Sequence, residues 1–206
     1  MHIKNIVWTG RNVDTAEKAL ILLHGRGGSA RDVLTLSQYL NVEGFAVLAP
    51  QAANNAWYPK SFLAPVKENE PWLSSALSLL TEIVADLSEK GMASENIFLA
   101  GFSQGACLAL EFVARNARRY GGVAAFTGGL IGDRIYRDRY AGDFQGTPIF
   151  IGSNDPDPHV PAERVKKTAG ILKNMNANVT AKMYVGKAHT ISEDEINMAN
   201  ELIFHI

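Results

Sequence analysis

Three observations predict an α/β fold: a mostly parallel sheet with helices on both faces. Short apolar runs recur along the 206 residues and alternate with longer helical patterns. The runs are continuous rather than alternating, as in "KALILLHG" (18–25) and "NIFLAG" (96–101), which marks strands buried on both faces. The intervals between them are long enough for the helical crossovers that join parallel strands, and those crossovers are right-handed. No repeat, low-complexity tract or linker divides the chain, so one domain over 1–206 is expected.

Each element has its own signal. "KALILLHG" reads as a buried strand ending at a turn, and "RDVLTLSQYLNVEG" (31–44) as an amphipathic helix closed by Gly44. "FAVLAP" (45–50) is the next strand. "WLSSALSLLTEIVADLSEKG" (72–91) is a long helix with Pro71 at its start and Gly91 past its end. "NIFLAG" is a strand and "QGACLALEFVARNA" (104–117) the helix that follows. "VAAFTG" (123–128) and "TPIFIGS" (147–153) are strands flanking the irregular segment 129–146. "PAERVKKTAGILKNMN" (161–176) is helix, "NVTAKMYVG" (178–186) strand and "SEDEINMANELIFHI" (192–206) a terminal helix. Ser192 with Glu195 has capping-box spacing. "HIKNIVWTG" (2–10) can add an antiparallel edge strand. The interval 51–72 breaks the rhythm, with prolines at 59, 65 and 71 and four aromatic side chains. Long irregular segments of this kind, leaving the carboxyl end of a strand, are often functional.

Composition narrows the function. Apolar residues at 47% and charged residues at 20% exclude disordered and fibrous classes. Twenty basic and 21 acidic residues leave a formal charge of −1, without the basic footprint of a nucleic-acid binder. Cys107 is the only cysteine, which precludes an internal disulfide and fits a reducing, cytoplasmic setting. The N-terminus lacks a signal-peptide core, and no apolar stretch reaches the ~20 residues of a membrane span, so no integral membrane association is expected. No histidine, cysteine or carboxylate cluster has metal-ligand spacing. "HGRGGSA" (24–30) matches neither nucleotide-binding glycine pattern, so no metal or cofactor is expected.

"AGFSQGAC" (100–107) carries the chemistry. It places Ser103 between Gly101 and Gly105, after a strand and before a helix. Bare G-x-S-x-G arises in about one random chain in fifteen of this length, from average Gly and Ser usage. The strand–turn–helix context is what makes it a nucleophile elbow, in which a strained turn lifts the hydroxyl clear of the sheet. A serine needs a base, and the base an orienting acid, in the chain order Ser, Asp or Glu, His. His2 is terminal, His24 ends an early strand, and His205 is near the chain end. His189, in the loop between the last strand and last helix, is the expected base; His159 stands too close to the acid candidates. Those are Asp155 and Asp157, and the spacing leaves both open. The oxyanion hole would use the backbone N–H groups of Gln104, at a helix N-terminus, and Arg26, in the glycine-rich loop "HGRGG". Cys107, one turn into the helix, reads as a buried small apolar residue.

These motifs resemble the phospholipase/carboxylesterase family of small α/β-hydrolases, which includes the acyl-protein thioesterases. "LLHGRGG", "GFSQGA", "DPHVP" and "YVGKAH" stand in the family's order and spacing across most of the chain. The resemblance implies an α/β-hydrolase fold and a Ser–His–Asp triad, and 206 residues leave no room for a large cap domain. It also implies hydrolysis of carboxylic or thioester bonds without a cofactor. "DPHVP" is similar to the family's acid motif, which implies Asp157 rather than Asp155. Trp57 and Tyr58 fall where the family carries a Trp–aromatic pair near the site, which implies that they help bind the acyl chain. Arg26-Gly27-Gly28 replaces the Leu-Gly-Asp of many members, and the 49–73 stretch departs from the eukaryotic thioesterases. The expectation is therefore a carboxylesterase of short- to medium-chain esters, of the bacterial carboxylesterase-like branch.

The alternatives are a thioesterase, lysophospholipase or amidase with the same triad, or a silent hydrolase-fold binding protein, which would be expected to lack a triad member. The Arg26 guanidinium could instead favour anionic esters. A homodimer through the aromatic loop or "ELIFHI" (201–206) is left open.

Overall fold

The computed structural model describes residues 1–186 and 188–205; Lys187 of "GKAH" and Ile206, predicted to end the terminal helix, lie outside them. Seven strands form one sheet in the order β1-β3-β2-β4-β5-β6-β7. They are β1 Ile6–Gly10, β2 Ala19–Leu23, β3 Ala46–Pro50, β4 Ile97–Phe102, β5 Gly122–Phe126, β6 Pro148–Asp155 and β7 Asn178–Val185. β1 runs antiparallel to β3 at one edge, and every other pairing is parallel. The predicted edge strand is therefore present.

Among the described residues, six α-helices flank the sheet: α1 Ala30–Leu34, α2 Val66–Asn69, α3 Trp72–Glu89, α4 Gln104–Arg115, α5 Ala162–Asn174 and α6 Glu193–Leu202. Side chains alternate across a strand, so β2 divides its apolar residues between two cores. Ala19, Ile21 and Leu23 face α3, α4 and α5. Leu20 and Leu22 face α1 and α6. All five residues of β2 are fully buried, which accounts for the unbroken apolar run. The α4 helix is the central one: every residue from Gln104 to Ala114 is buried.

Two elements differ from expectation. The helix predicted over 31–44 stops at Leu34 and continues as a single 3₁₀ turn, Thr35–Gln38. Hydroxyls compete for its carbonyls: Thr35 Oγ1 donates to Asp32 O at 2.7 Å and Ser37 Oγ to Leu34 O at 2.7 Å. Asn200 of α6 then holds the extended chain, bonding Asn41 N at 2.8 Å and Tyr39 O at 2.9 Å. Gly44, at φ +81°, serves the turn into β3 rather than a helix end. The second difference is at the C-terminus, where helix α6 ends at Leu202. Ile203 and Phe204 turn back into the core, 2% and 1% exposed. Ile203 and Phe204 of "ELIFHI" thus pack inward. The Ser192–Glu195 capping box is present as expected.

The irregular segment 129–146 is anchored by a buried charge. Glu111, on α4, is fully buried, and its Oε1 accepts from Arg115 Nε at 2.8 Å. Its Oε2 accepts from Ile131 N and from Tyr140 OH, both at 3.0 Å. Removing the carboxylate strands one cation and two donors together. Glu111→Ala is expected to cost about 3 kcal/mol, read as a lower midpoint in urea unfolding.

Candidate active site

The loops at the carboxyl ends of β2, β3, β4, β6 and β7 meet above the middle of the sheet. Between β4 and α4, Ser103 adopts φ +54° and ψ −116°, a region that side chains rarely enter. The surrounding contacts show why its neighbours are glycines. A Cβ on Gly101 would lie 2.6 Å from the Gly105 carbonyl carbon, and one on Gly105 would lie 2.1 Å from Leu23 O. Neither position has room for a methyl group. Ser103 N donates to Phe126 O at 2.9 Å, which ties the turn to β5.

Ser103 Oγ lies 2.8 Å from His189 Nε2, and His189 Nδ1 lies 2.9 Å from Asp157 Oδ2. The Asp157 side chain is fully buried, that of His189 only 20% exposed. Asp157 Oδ1 also accepts the backbone N–H groups of His159 and Val160, each at 2.8 Å. Burial alone would push this carboxyl up. The bonds from His189 and the two amides outweigh it and hold the group below the usual carboxylate range. An ionised carboxylate on Nδ1 fixes that nitrogen as the donor and leaves Nε2 to face the serine. Asp155 is exposed at the end of β6, and its side chain makes no hydrogen bond among the described residues. Of the two aspartates, the structure brings Asp157 to His189.

The loops around the serine are braced to one another. Gln104, buried in the first turn of α4, accepts from Trp57 N and donates to Tyr58 O, both at 2.8 Å. Trp57 donates its indole N–H to His24 O at 2.9 Å and stacks on the His24 ring at 5.0 Å. The His24 ring in turn bonds Gly25 O at 2.8 Å and Ala52 N at 3.1 Å, as expected of a structural histidine. The Arg26 guanidinium donates to Pro59 O at 2.9 Å and Lys60 O at 2.6 Å. It thus clamps the long 51–65 segment onto the glycine-rich loop.

A cavity of about 550 Å³ opens at this centre. Ser103, Gln104, Arg26 and His189 line its mouth, and Tyr58 and Cys107 are among the residues beneath. Tyr58 thus lines the cavity. Trp57 does not: its indole is completely buried behind the loop, where it supports His24. The aromatic side chains Trp57, Tyr58 and Phe62 of the loop are all buried, although Pro59, Lys60 and Ser61 between them are exposed. The Cys107 thiol, buried and accepting from Gly129 N at 3.5 Å, is pushed up to about 12 by burial, so it is not a thiolate nucleophile.

Sequence reasoning missed two positioning residues. Asn154 donates to Ala188 O beside the histidine, and the exposed His159 sets its ring edge-on to His189 at 4.8 Å. Asn154 could have been suspected as a polar residue where a buried strand ends. Nothing in the spacing signals the His159 contact. Among the described residues, no three histidine, cysteine or carboxylate side chains converge as a metal site, and no helix is long and apolar enough to cross a membrane.

This sheet order, with a serine on a strained turn at the end of a central strand, defines an α/β-hydrolase-type fold. The chain belongs to the phospholipase/carboxylesterase family, whose description matches residues 7–205. It is similar to the crystal structure of a phospholipase/carboxylesterase from Dyadobacter fermentans, with 51% identity and a TM-score of 0.98 over 99% of this chain and 98% of that one. It is 29% identical to acyl-protein thioesterase 1 of Saccharomyces cerevisiae, over 89% of this chain and 90% of that protein. A probable carboxylesterase, SOBER1-like, of Arabidopsis thaliana is 27% identical over 90% of this chain and 78% of its own length.

The state of Asp157 has a pH signature. A depressed folded value contributes stability above the ordinary carboxylate range, near pH 4, and that stability is lost as pH falls through the folded value. Asp157→Asn lacks this contribution. The stability gap between wild type and variant in urea melts is therefore expected to be widest at pH 7 and to shrink toward pH 3.

Proposed function

We propose that this chain is a serine carboxylesterase that hydrolyses short- to medium-chain carboxylic esters through an acyl-enzyme. The observation that carries the reading is the unbroken chain from Asp157 through His189 to Ser103, with contacts of 2.9 and 2.8 Å. Ser103 Oγ attacks the ester carbonyl while His189 Nε2 takes its proton, and Asp157 stabilises the imidazolium. The developing oxyanion is bound by the backbone N–H groups of Arg26 and Gln104, neither of which donates to another described residue. Gln104 N–H also stands at the first turn of α4, where the helix dipole favours negative charge. His189 returns the proton to the leaving alcohol, and water then releases the acid by the same route. Tyr58 is among the residues that contact the acyl chain.

Thioester hydrolysis uses the same steps, and the yeast relative's name favours it as the second reading. Nothing in the chemistry calls for a cofactor, a metal or a nucleic-acid partner. The setting we infer is the cytoplasm, from the single, buried cysteine.

The test is hydrolysis of p-nitrophenyl esters from acetate to palmitate, with Ser103→Ala as control. A maximum at short or middle chain length is expected, with a loss of about 10⁴-fold or more in the variant. Turnover of thioesters alone by the folded wild type would move the second reading ahead. Because two guanidinium N–H groups of Arg26 are committed to Pro59 and Lys60, we expect it to position the loop rather than read substrate charge. Arg26→Leu should lower kcat/KM about tenfold for anionic and neutral esters alike. A selective loss on anionic esters would restore the charge-reading role.

A further inference from the structure

Ser103 stands between two cavities. The second, of about 470 Å³, lies beside the His24–Gly28 loop, with Val33, Leu36, Tyr39, Phe102, Ile191 and Ile196 in its walls. It exists because the helix predicted over 31–44 breaks at Leu34. The 3₁₀ turn and Tyr39 form one bank and the start of α6 the other. Tyr39 is 63% exposed, an unusual place for a tyrosine with no core to join. Several polar atoms on the wall are already engaged. Asp32 Oδ2 accepts from Ser29 N and Oγ, and His24 Nε2 accepts from Ala52 N. What faces the cavity is mainly apolar.

This cavity adjoins the candidate centre across the His24–Gly28 loop. Arg26 lines both cavities. Phe102, the residue before the nucleophile, lies on the wall with its ring 5.0 Å from the His189 ring. Ile191 follows His189 by two residues. A Cβ placed on Gly25 would lie 3.5 Å from Ser103 Cβ, so the loop between the cavities touches the nucleophile.

Chemistry assigns the two halves of the substrate. The acyl group stays on Ser103 after the first step, whereas the departing oxygen must lie within reach of His189 Nε2 to receive its proton. The two substituents diverge from the tetrahedral carbon, so they leave the reacting centre in different directions. The first cavity runs from Ser103 and Gln104 over Tyr58, Phe62 and Cys107, a floor suited to an acyl chain. From His189, the Phe102 ring and Ile191 lead to the second.

We propose that the cavity between residues 33–39 and 191–196 is a leaving-group subsite, which takes the apolar aryl or alkyl portion of the alcohol or thiol. This deepens, and rests on, the reading of Ser103 as the nucleophile of an ester hydrolase. It makes the natural substrate an ester of a bulky apolar alcohol or thiol rather than of a small one.

The experiment pairs two ester series with two variants. Methyl, butyl, phenyl and 2-naphthyl acetates vary the alcohol, and p-nitrophenyl esters vary the acyl chain. Thr35→Trp fills the cavity from its exposed bank, and Tyr39→Ala removes an aromatic wall. The kcat/KM ratio of 2-naphthyl to methyl acetate, relative to wild type, is expected to fall about tenfold in Thr35→Trp and about threefold in Tyr39→Ala. The acyl-length maximum is expected to stay where it is. A shifted acyl maximum with an unchanged alcohol ratio would assign the cavity to the acyl chain and overturn the proposal, as would no change in either series. Calorimetric titration with 2-naphthol, which needs no turnover, separates the two readings. Binding that Thr35→Trp weakens about tenfold supports the subsite even if wild type hydrolyses no ester, which would sink the esterase reading alone. Ester hydrolysis with naphthol binding indifferent to Thr35→Trp would sink the subsite alone.

Discussion

The site depends on one constraint: Ser103 is held at positive φ where a strand turns directly into a helix. Such a backbone costs on the order of 1–3 kcal/mol and persists only when its surroundings overdetermine it. Here they do. The turn is tied to β5 through Phe126 O, and Gly101 and Gly105 let α4 lie against β2 and β4 at distances no side chain allows. The same closeness puts Gln104 N–H at the first turn of a buried helix, beside the hydroxyl. The placement of the Ser103 hydroxyl and the burial of α4 are therefore two results of one packing contact.

Around that turn, the loops are held by polar bonds rather than by length. Gln104 fixes the backbone of Trp57 and Tyr58, Trp57 fixes His24, and Arg26 reaches back to Pro59 and Lys60. This closed brace places the Arg26 amide and the Tyr58 wall of the first cavity as one unit. On the opposite side, Asp157 and Asn154 hold the histidine loop from β6. Catalytic geometry of this kind tolerates little slack, because misplacement by about 1 Å can cost a hundredfold in rate.

Much of this was legible in the sequence, for identifiable reasons. Buried parallel strands read as continuous apolar runs, so the strand order of events along the chain was clear from "ALILL" and "NIFLAG". The glycines around Ser103 were legible because only a forbidden approach requires two of them. What was not legible rests on contacts distant in sequence. The break at Leu34 depends on hydroxyls that also fit a helix pattern and on Asn200, more than 150 residues away. Spacing left Asp155 and Asp157 equal, because only the direction of the chain after β6 tells which carboxylate meets His189. Trp57 carried the aromatic signal of a binding residue, yet its indole is spent on His24 beneath the loop. The Ser192–Glu195 cap, a purely local device, was visible at once.

The most direct measurement of the central claim is covalent labelling. A fluorophosphonate probe loses fluoride to an activated serine oxygen, and mass spectrometry of the digest locates the adduct. A single adduct is expected on the peptide that carries Ser103, formed rapidly by wild type and at least a thousandfold more slowly by His189→Asn. An adduct on another serine, or a rate indifferent to His189, would contradict it.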